Sequence, residues 1–247
     1  MKEIYKILFL LLKLKIQLKR EENVYDLYNL KTLSLAGAKL TAISKEISNL
    51  ENLENLENLE NLLLQNNKLN KLPIEMTNLT KLQMIYLDNN KFKRFPKALF
   101  YFTSLKELSL SGNLLTVIPK QIKNLSNLRL LSFNNNKLTE IPQEIFSLIA
   151  LQELYLSNNL LTLIPKEIGK LNNLKTLQLT RNKLTEIPKE ITTLKNLEIL
   201  GLSYNNLIEI TKEISYLNKL ERLGLDHSML SKVPDQINKM KDLEISP

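Results

Sequence analysis

The sequence predicts an α/β solenoid, a curved horseshoe with a parallel β-sheet on its concave side and short helical or 3₁₀ segments on its convex side. Three observations carry this. The pattern Leu-x-x-Leu-x-Leu-x-x-Asn-x-Leu-x-x-Ile-Pro-x-Glu-Ile-x-x-Leu-x-Asn recurs nine times, opening at Leu30, Leu59, Leu82, Leu105, Leu128, Leu151, Leu174, Leu197 and Leu220, and from Leu59 onward the step is an unchanging 23 residues. The first part of each unit alternates with period 2, as a strand with one buried face does, and the second part spaces its apolar residues three apart after a proline suited to a first helical turn. Neither part can bury its apolar face alone, so the units must stack.

In chain order, residues 1–29 precede the regular units and admit two readings. Leu12 to Lys19 alternate cleanly, and Val24, Leu27 and Asn29 stand one period before Ile47, Leu50 and Asn52, which suits a degenerate capping repeat. Alternatively, Lys2 and Lys6 ahead of the apolar stretch Ile7 to Leu12 read as a non-cleaved, signal-like region. The nine units fill residues 30–242. Between the first two, the triplets Glu51-Asn52-Leu53, Glu54-Asn55-Leu56, Glu57-Asn58-Leu59 and Glu60-Asn61-Leu62 add six residues to the period near 53–58. Leucine at every third residue drifts by about 60° per step around a 3.6-residue helix, so Leu53, Leu56, Leu59 and Leu62 cannot all share one buried stripe: either some of Leu53 and Leu56 are partly exposed or the convex segment extends and bulges. The extra residues belong on the outer face as a tolerated bulge. Residues 243–247 begin a tenth unit at Leu243 with no C-terminal cap, which leaves Leu225 and Leu230 near an open end capable of weak self-association.

Asn67, Asn90, Asn113, Asn136, Asn159, Asn182 and Asn205 follow the strands, where the chain must turn inside a crowded interior. An amide side chain there satisfies backbone groups that nothing else reaches, so this column is structural. It fails at Ala38 and Ser228, in the terminal units.

Composition narrows the function classes. Net charge is +8, but five of those charges fall within residues 1–20, and the repeats are close to neutral. Of 34 basic residues only Arg20, Arg94, Arg129, Arg181 and Arg222 are arginines, a poor stock for bidentate phosphate contacts, so no nucleic-acid partner is expected. No apolar run is long enough for a membrane span. There is no cysteine for a thiolate metal site or a nucleophile, and with five glycines there is no Gly-rich phosphate loop. Asp226, the single histidine His227, and Ser228 are adjacent, and in an extended strand adjacent side chains point to opposite faces, so they build no catalytic triad. The outer column Glu46, Glu75, Glu144, Glu167, Glu190 and Glu213 reads as a solvated, ion-pairing face rather than a metal site. The expectation is a non-enzymatic protein with no cofactor, no metal and no small-molecule substrate.

The half-repeat Ile164-Pro165-Lys166-Glu167-Ile168 through Asn173 resembles that of the 23-residue leucine-rich-repeat proteins of pathogenic bacteria, and is similar to the Ras-group-related class of such repeats. The resemblance covers Leu30 to Asp242. It implies an exported, virulence-associated protein that contacts host proteins, and residues 1–22 look like the signal sequence of such proteins. On that reading the protein is secreted or on the cell surface; otherwise it is cytoplasmic.

What varies against the fixed leucine frame is the outward side of the concave strands, and variation on a rigid frame is where specificity can be written. The alternation places Met84, Tyr86, Leu130, Tyr155 and Ile199 there, with Asp88, Arg129, Glu153 and Arg181 nearby. Large apolar and aromatic side chains on a rigid sheet suit anchors for a protein partner. The alternative is a scaffold that self-assembles through the uncapped end. A carbohydrate-binding role would need more stacked aromatics than Tyr86 and Tyr155 supply.

Overall fold

In the computed structural model, which describes residues 31–43 and 59–246, each unit contributes one three-residue strand. These are β1 Thr32–Ser34, β2 Asn61–Leu63, β3 Met84–Tyr86, β4 Glu107–Ser109, β5 Leu130–Ser132, β6 Glu153–Tyr155, β7 Thr176–Gln178, β8 Ile199–Gly201, β9 Arg222–Gly224 and β10 Glu244–Ser246. They form a single parallel sheet in strict sequence order. The middle residue of every strand from β2 to β9 is an inward Leu or Ile with no exposure, from Leu62 and Ile85 to Leu223. Burying such a side chain is worth about 1.5–3 kcal/mol. Each layer packs only on its neighbours, so the core is a line rather than a ball.

Pairing register records the spacing of the units. From β2 to β9 partners stand one 23-residue period apart, with Leu62 opposite Ile85, Ile85 opposite Leu108, and so on to Leu200 opposite Leu223. Thr32 instead pairs with Asn61, 29 positions on. The longer first step is the length of the insertion expressed as register. The insertion itself near 53–58, with Leu53 and Leu56, lies outside the described residues, as do residues 1–29 and Glu46.

On the convex side the units carry five-residue 3₁₀ segments, among them Ile74–Asn78, Gln143–Ser147 and Lys166–Lys170. The prolines stand one place earlier than a first helical position. Pro73, Pro142 and Pro165 are extended capping residues whose carbonyls accept the first turn's bond, as from the Ile145 N–H to Pro142 at 3.1 Å. A fixed φ and a free carbonyl are all that this place requires. Thr211 does the same without a ring, its carbonyl accepting from Ile214 at 3.3 Å. Slim segments let coils approach closely: a Cβ on Gly169 would lie 2.6 Å from Thr193 Oγ1 of the next coil.

The last coil departs from the sequence reading in two ways. Residue 227 is not in a strand, because the chain turns into α1 (His227–Leu230) and then α2 (Asp235–Asn238), with an exposed His227. The tenth strand is also shifted by one place from the 23-residue step, with Glu244 opposite Arg222 and Ile245 opposite Leu223. A slip of one residue exchanges the faces of a strand, and this one turns Ile245 inward where the regular step would have put Ser246. Leu225 is fully buried, its N–H donating to Ser246 at 2.9 Å, and Leu230 is 36% exposed.

Candidate protein-binding face

The asparagine column holds the sheet's outer margin in place. Each of the seven donates from Nδ2 to the carbonyl three residues before it and to a carbonyl of the preceding unit, and accepts a backbone N–H of that unit at Oδ1. For Asn136 the partners are Phe133 at 3.1 Å, Leu110 at 2.9 Å and the Leu115 N–H at 3.0 Å. Asn159, Asn182 and Asn205 repeat the arrangement. The residue just before each Asn takes a left-handed φ, which Gly112 and the asparagines 66, 89, 135 and 158 tolerate; Arg181 and Tyr204 adopt it too. Their side chains meet, with the Arg181 guanidinium 5.0 Å from the Tyr204 ring centre.

Parallel register arranges the outward side chains in rows. One row runs Met84, Glu107, Leu130, Glu153, Thr176, Ile199, and the other Tyr86, Ser109, Ser132, Tyr155, Gln178, Gly201. The two tyrosines therefore stand three strands apart, roughly 14 Å. Between them lies a low floor of Ser109 and Ser132, both buried, with Ser111 Oγ 2.6 Å from Ser132 Oγ. Neither tyrosine is a bare anchor: Tyr86 donates its hydroxyl to Glu107 Oε2 at 2.5 Å, and Tyr155 to Glu153 Oε2 at 2.6 Å. Partial burial and the bonded carboxylate push the Tyr155 hydroxyl up to about 12, and burial, Glu107, Asp88 and Glu153 push Tyr86 higher still. Both stay neutral donors. Asp88 accepts from the Ser109 hydroxyl and from the Ser111 N–H at 3.0 Å.

Of the residues singled out in the sequence, Met84, Tyr86, Asp88, Leu130, Glu153 and Tyr155 come together on and beside β3 to β6, all half-buried. Ile199 lies two strands beyond β6. Arg129 and Arg181 are both exposed, Arg129 just before β5 and Arg181 in the loop after β7, so they occupy opposite margins of the sheet. The residue that sequence reasoning missed is Glu107, one period before Leu130 in the same row. The period itself would have found it. The result is an acidic centre, Asp88, Glu107 and Glu153, framed by two tyrosines and bounded by Met84 and Leu130.

Comparisons with known proteins come to the same fold. The family model described as leucine rich repeat matches residues 57–115, 103–161 and 126–184, and that described as leucine-rich repeat region matches 163–245. A leucine-rich-repeat protein of Leptospira interrogans is 39% identical with a TM-score of 0.82, over 90% of this chain and 55% of its own. The chain thus spans about half the length of that protein. The ectodomain of the Arabidopsis thaliana receptor kinase GASSHO1/SCHENGEN3, solved in complex with Casparian strip integrity factor 2, is 35% identical with a TM-score of 0.76, over 88% of this chain and 27% of its own. Internalin C2 of Listeria monocytogenes is 26% identical with a TM-score of 0.67, over 81% of this chain and 84% of its own. No curated protein sequence matches the chain.

Proposed function

The chain belongs to the leucine-rich-repeat family, and from that premise we propose that it is a non-enzymatic module whose concave sheet grips a protein partner at the acidic centre between Tyr86 and Tyr155. Repeats of this family and fold typically serve protein interaction, and none of the described helices is long and apolar enough to cross a membrane. The observation that carries the proposal is the pairing of rows. The inward residues at the strand centres are uniformly Leu or Ile, while on β3 to β6 one outward row alternates Met84, Glu107, Leu130 and Glu153 and the other sets Ser109 and Ser132 between Tyr86 and Tyr155. Such a face suits a segment that brings lysine or arginine to Asp88, Glu107 and Glu153 and lays apolar side chains along Met84 and Leu130. The tyrosines frame it because their hydroxyls are already held by carboxylates, which lowers the entropy lost on binding. A host protein would fit the resemblance to bacterial repeat proteins.

The test compares the intact array with Tyr86→Ala plus Tyr155→Ala against a captured partner, measured by surface plasmon resonance. Binding should weaken by about 2 kcal/mol or more, because buried tyrosines carry a large share of interface energy. Glu107→Lys plus Glu153→Lys should weaken it further, and Glu144→Ala plus Glu167→Ala on the convex side should leave it unchanged. Retained circular dichroism shows that the fold survives. Loss with the convex changes and none with the tyrosines would mean that function had been assigned to the wrong face.

A further inference from the structure

The third unit breaks the composition of the others on the side away from the concave sheet. Its stretch Lys93-Arg94-Phe95-Pro96-Lys97 leads into the 3₁₀ segment Lys97–Tyr101, and the outer glutamate seen at Glu75, Glu144, Glu167, Glu190 and Glu213 is replaced here by Ala98 and in the next unit by Gln121. Between these two coils lies a cavity of about 670 Å³, within the range of ligand pockets at roughly 300–1,000 Å³. Phe95 stacks on Phe100 along its wall, ring centres 5.0 Å apart and planes 4° from parallel. Tyr101 and Val117, also in the wall, are 62% and 54% exposed. Lys93, Arg94 and Lys97 complete the rim, and none of them forms an ion pair among the described residues. No carboxylate lines the cavity.

We propose that this cleft is a second binding site, one that takes an acidic segment of a partner protein, with its carboxylates on Lys93, Arg94 and Lys97 and a large apolar side chain against Phe100, Tyr101 and Val117. Charge complementarity selects the occupant: three cations without a single acid favour a negatively charged ligand, and the exposed rings add an apolar requirement. Thr116, Gln121 and Asn124 in the lining offer both donors and acceptors, which a peptide backbone can use and an acyl chain cannot. Gln121 lines the cleft at the place where the periodic glutamate would have opposed such a ligand. The site is independent of the concave face.

The probe is a fluorescein-labelled pool of short peptides, each with Asp and Glu flanking one Phe or Leu, titrated with the full chain and followed by fluorescence anisotropy. A matched pool with Asn and Gln in place of the acids should bind about tenfold or more weakly, and raised salt should weaken the acidic pool. Arg94→Glu plus Lys97→Glu, both at exposed positions, should reduce acidic-pool binding by about tenfold or more while the melting curve stays put. Tyr86→Ala plus Tyr155→Ala should leave it unaltered, which separates this site from the concave one. Equal binding of the two pools, no loss on charge reversal, or binding only to vesicles of phosphatidylcholine and phosphatidylglycerol would overturn the proposal.

Discussion

Replacing Asn136 by alanine tests how the coils are joined. Its Oδ1 accepts the Leu115 N–H of the preceding unit at 3.0 Å, and among the described residues that N–H has no other acceptor. Its Nδ2 donates to Leu110 and Phe133, but each of those carbonyls keeps a second donor, Asn113 for the first and Asn159 for the second. The cost of Asn136→Ala therefore centres on one orphaned, buried N–H and comes to about 1–3 kcal/mol. Asn136→Asp should be worse at neutral pH, although it keeps the acceptor. Its second carboxylate oxygen would replace Nδ2 and face three carbonyl oxygens, those of Leu110, Phe133 and Asn134, with an uncompensated buried charge, a loss of about 3–5 kcal/mol. Burial and the carbonyls raise the folded-state pKa of that aspartate, so the variant should recover stability as pH falls and protonation restores a donor. Urea melts followed by circular dichroism measure the order, and amide exchange at Leu115 reports the orphan directly. Lys137→Ala, exposed beside it, should be nearly silent. An alanine variant that melts like the parent, or an aspartate milder than alanine, would refute this reasoning.

Two further outcomes follow from the same geometry. In a titration of tyrosinate absorbance, Tyr155 should ionise near 12 and Tyr86 above it; Glu153→Gln should lower the Tyr155 value without returning it to the ordinary one, since burial is its larger cause. With folded-state values raised, the neutral hydroxyls contribute stability that is fully present below pH about 10 and is lost as pH climbs through the folded-state values. Gly169→Ala should destabilise the array by about 1–3 kcal/mol, because its Cβ would meet Thr193 Oγ1 at 2.6 Å and the Glu190 carbonyl at 3.1 Å. Thr193→Ala in the same chain should restore part of that loss in a thermal melt; no restoration would place the conflict at the Glu190 backbone.

The period made the fold readable, because a strand whose side chains alternate and a coil that repeats every 23 residues leave one way to bury the leucines. It also placed Met84, Tyr86, Leu130, Tyr155 and Ile199 on the outward side of the concave strands. Where the period fails, so did the reading. The last unit has Ser228 in place of the column Asn, and its Pro234 is followed by Asp235-Gln236 rather than by a residue and then Glu, so nothing local announced α1 and α2 or the slip that turns Ile245 inward.

Repetition by itself determined the stack, its order and its inward face, since these depend on spacing along the chain and on the cost of leaving apolar surface in water. Only the tertiary structure decided which outward residues act together. Tyr86 meets Glu107 from the following unit, whereas Tyr155 turns to Glu153 of its own strand, and Arg129 and Arg181 fall to opposite margins. The aromatic cleft at Phe95 and Phe100 likewise exists only between coils. Such contacts depend on rotamers and on distances across neighbouring units, and a one-dimensional pattern of residue types specifies neither.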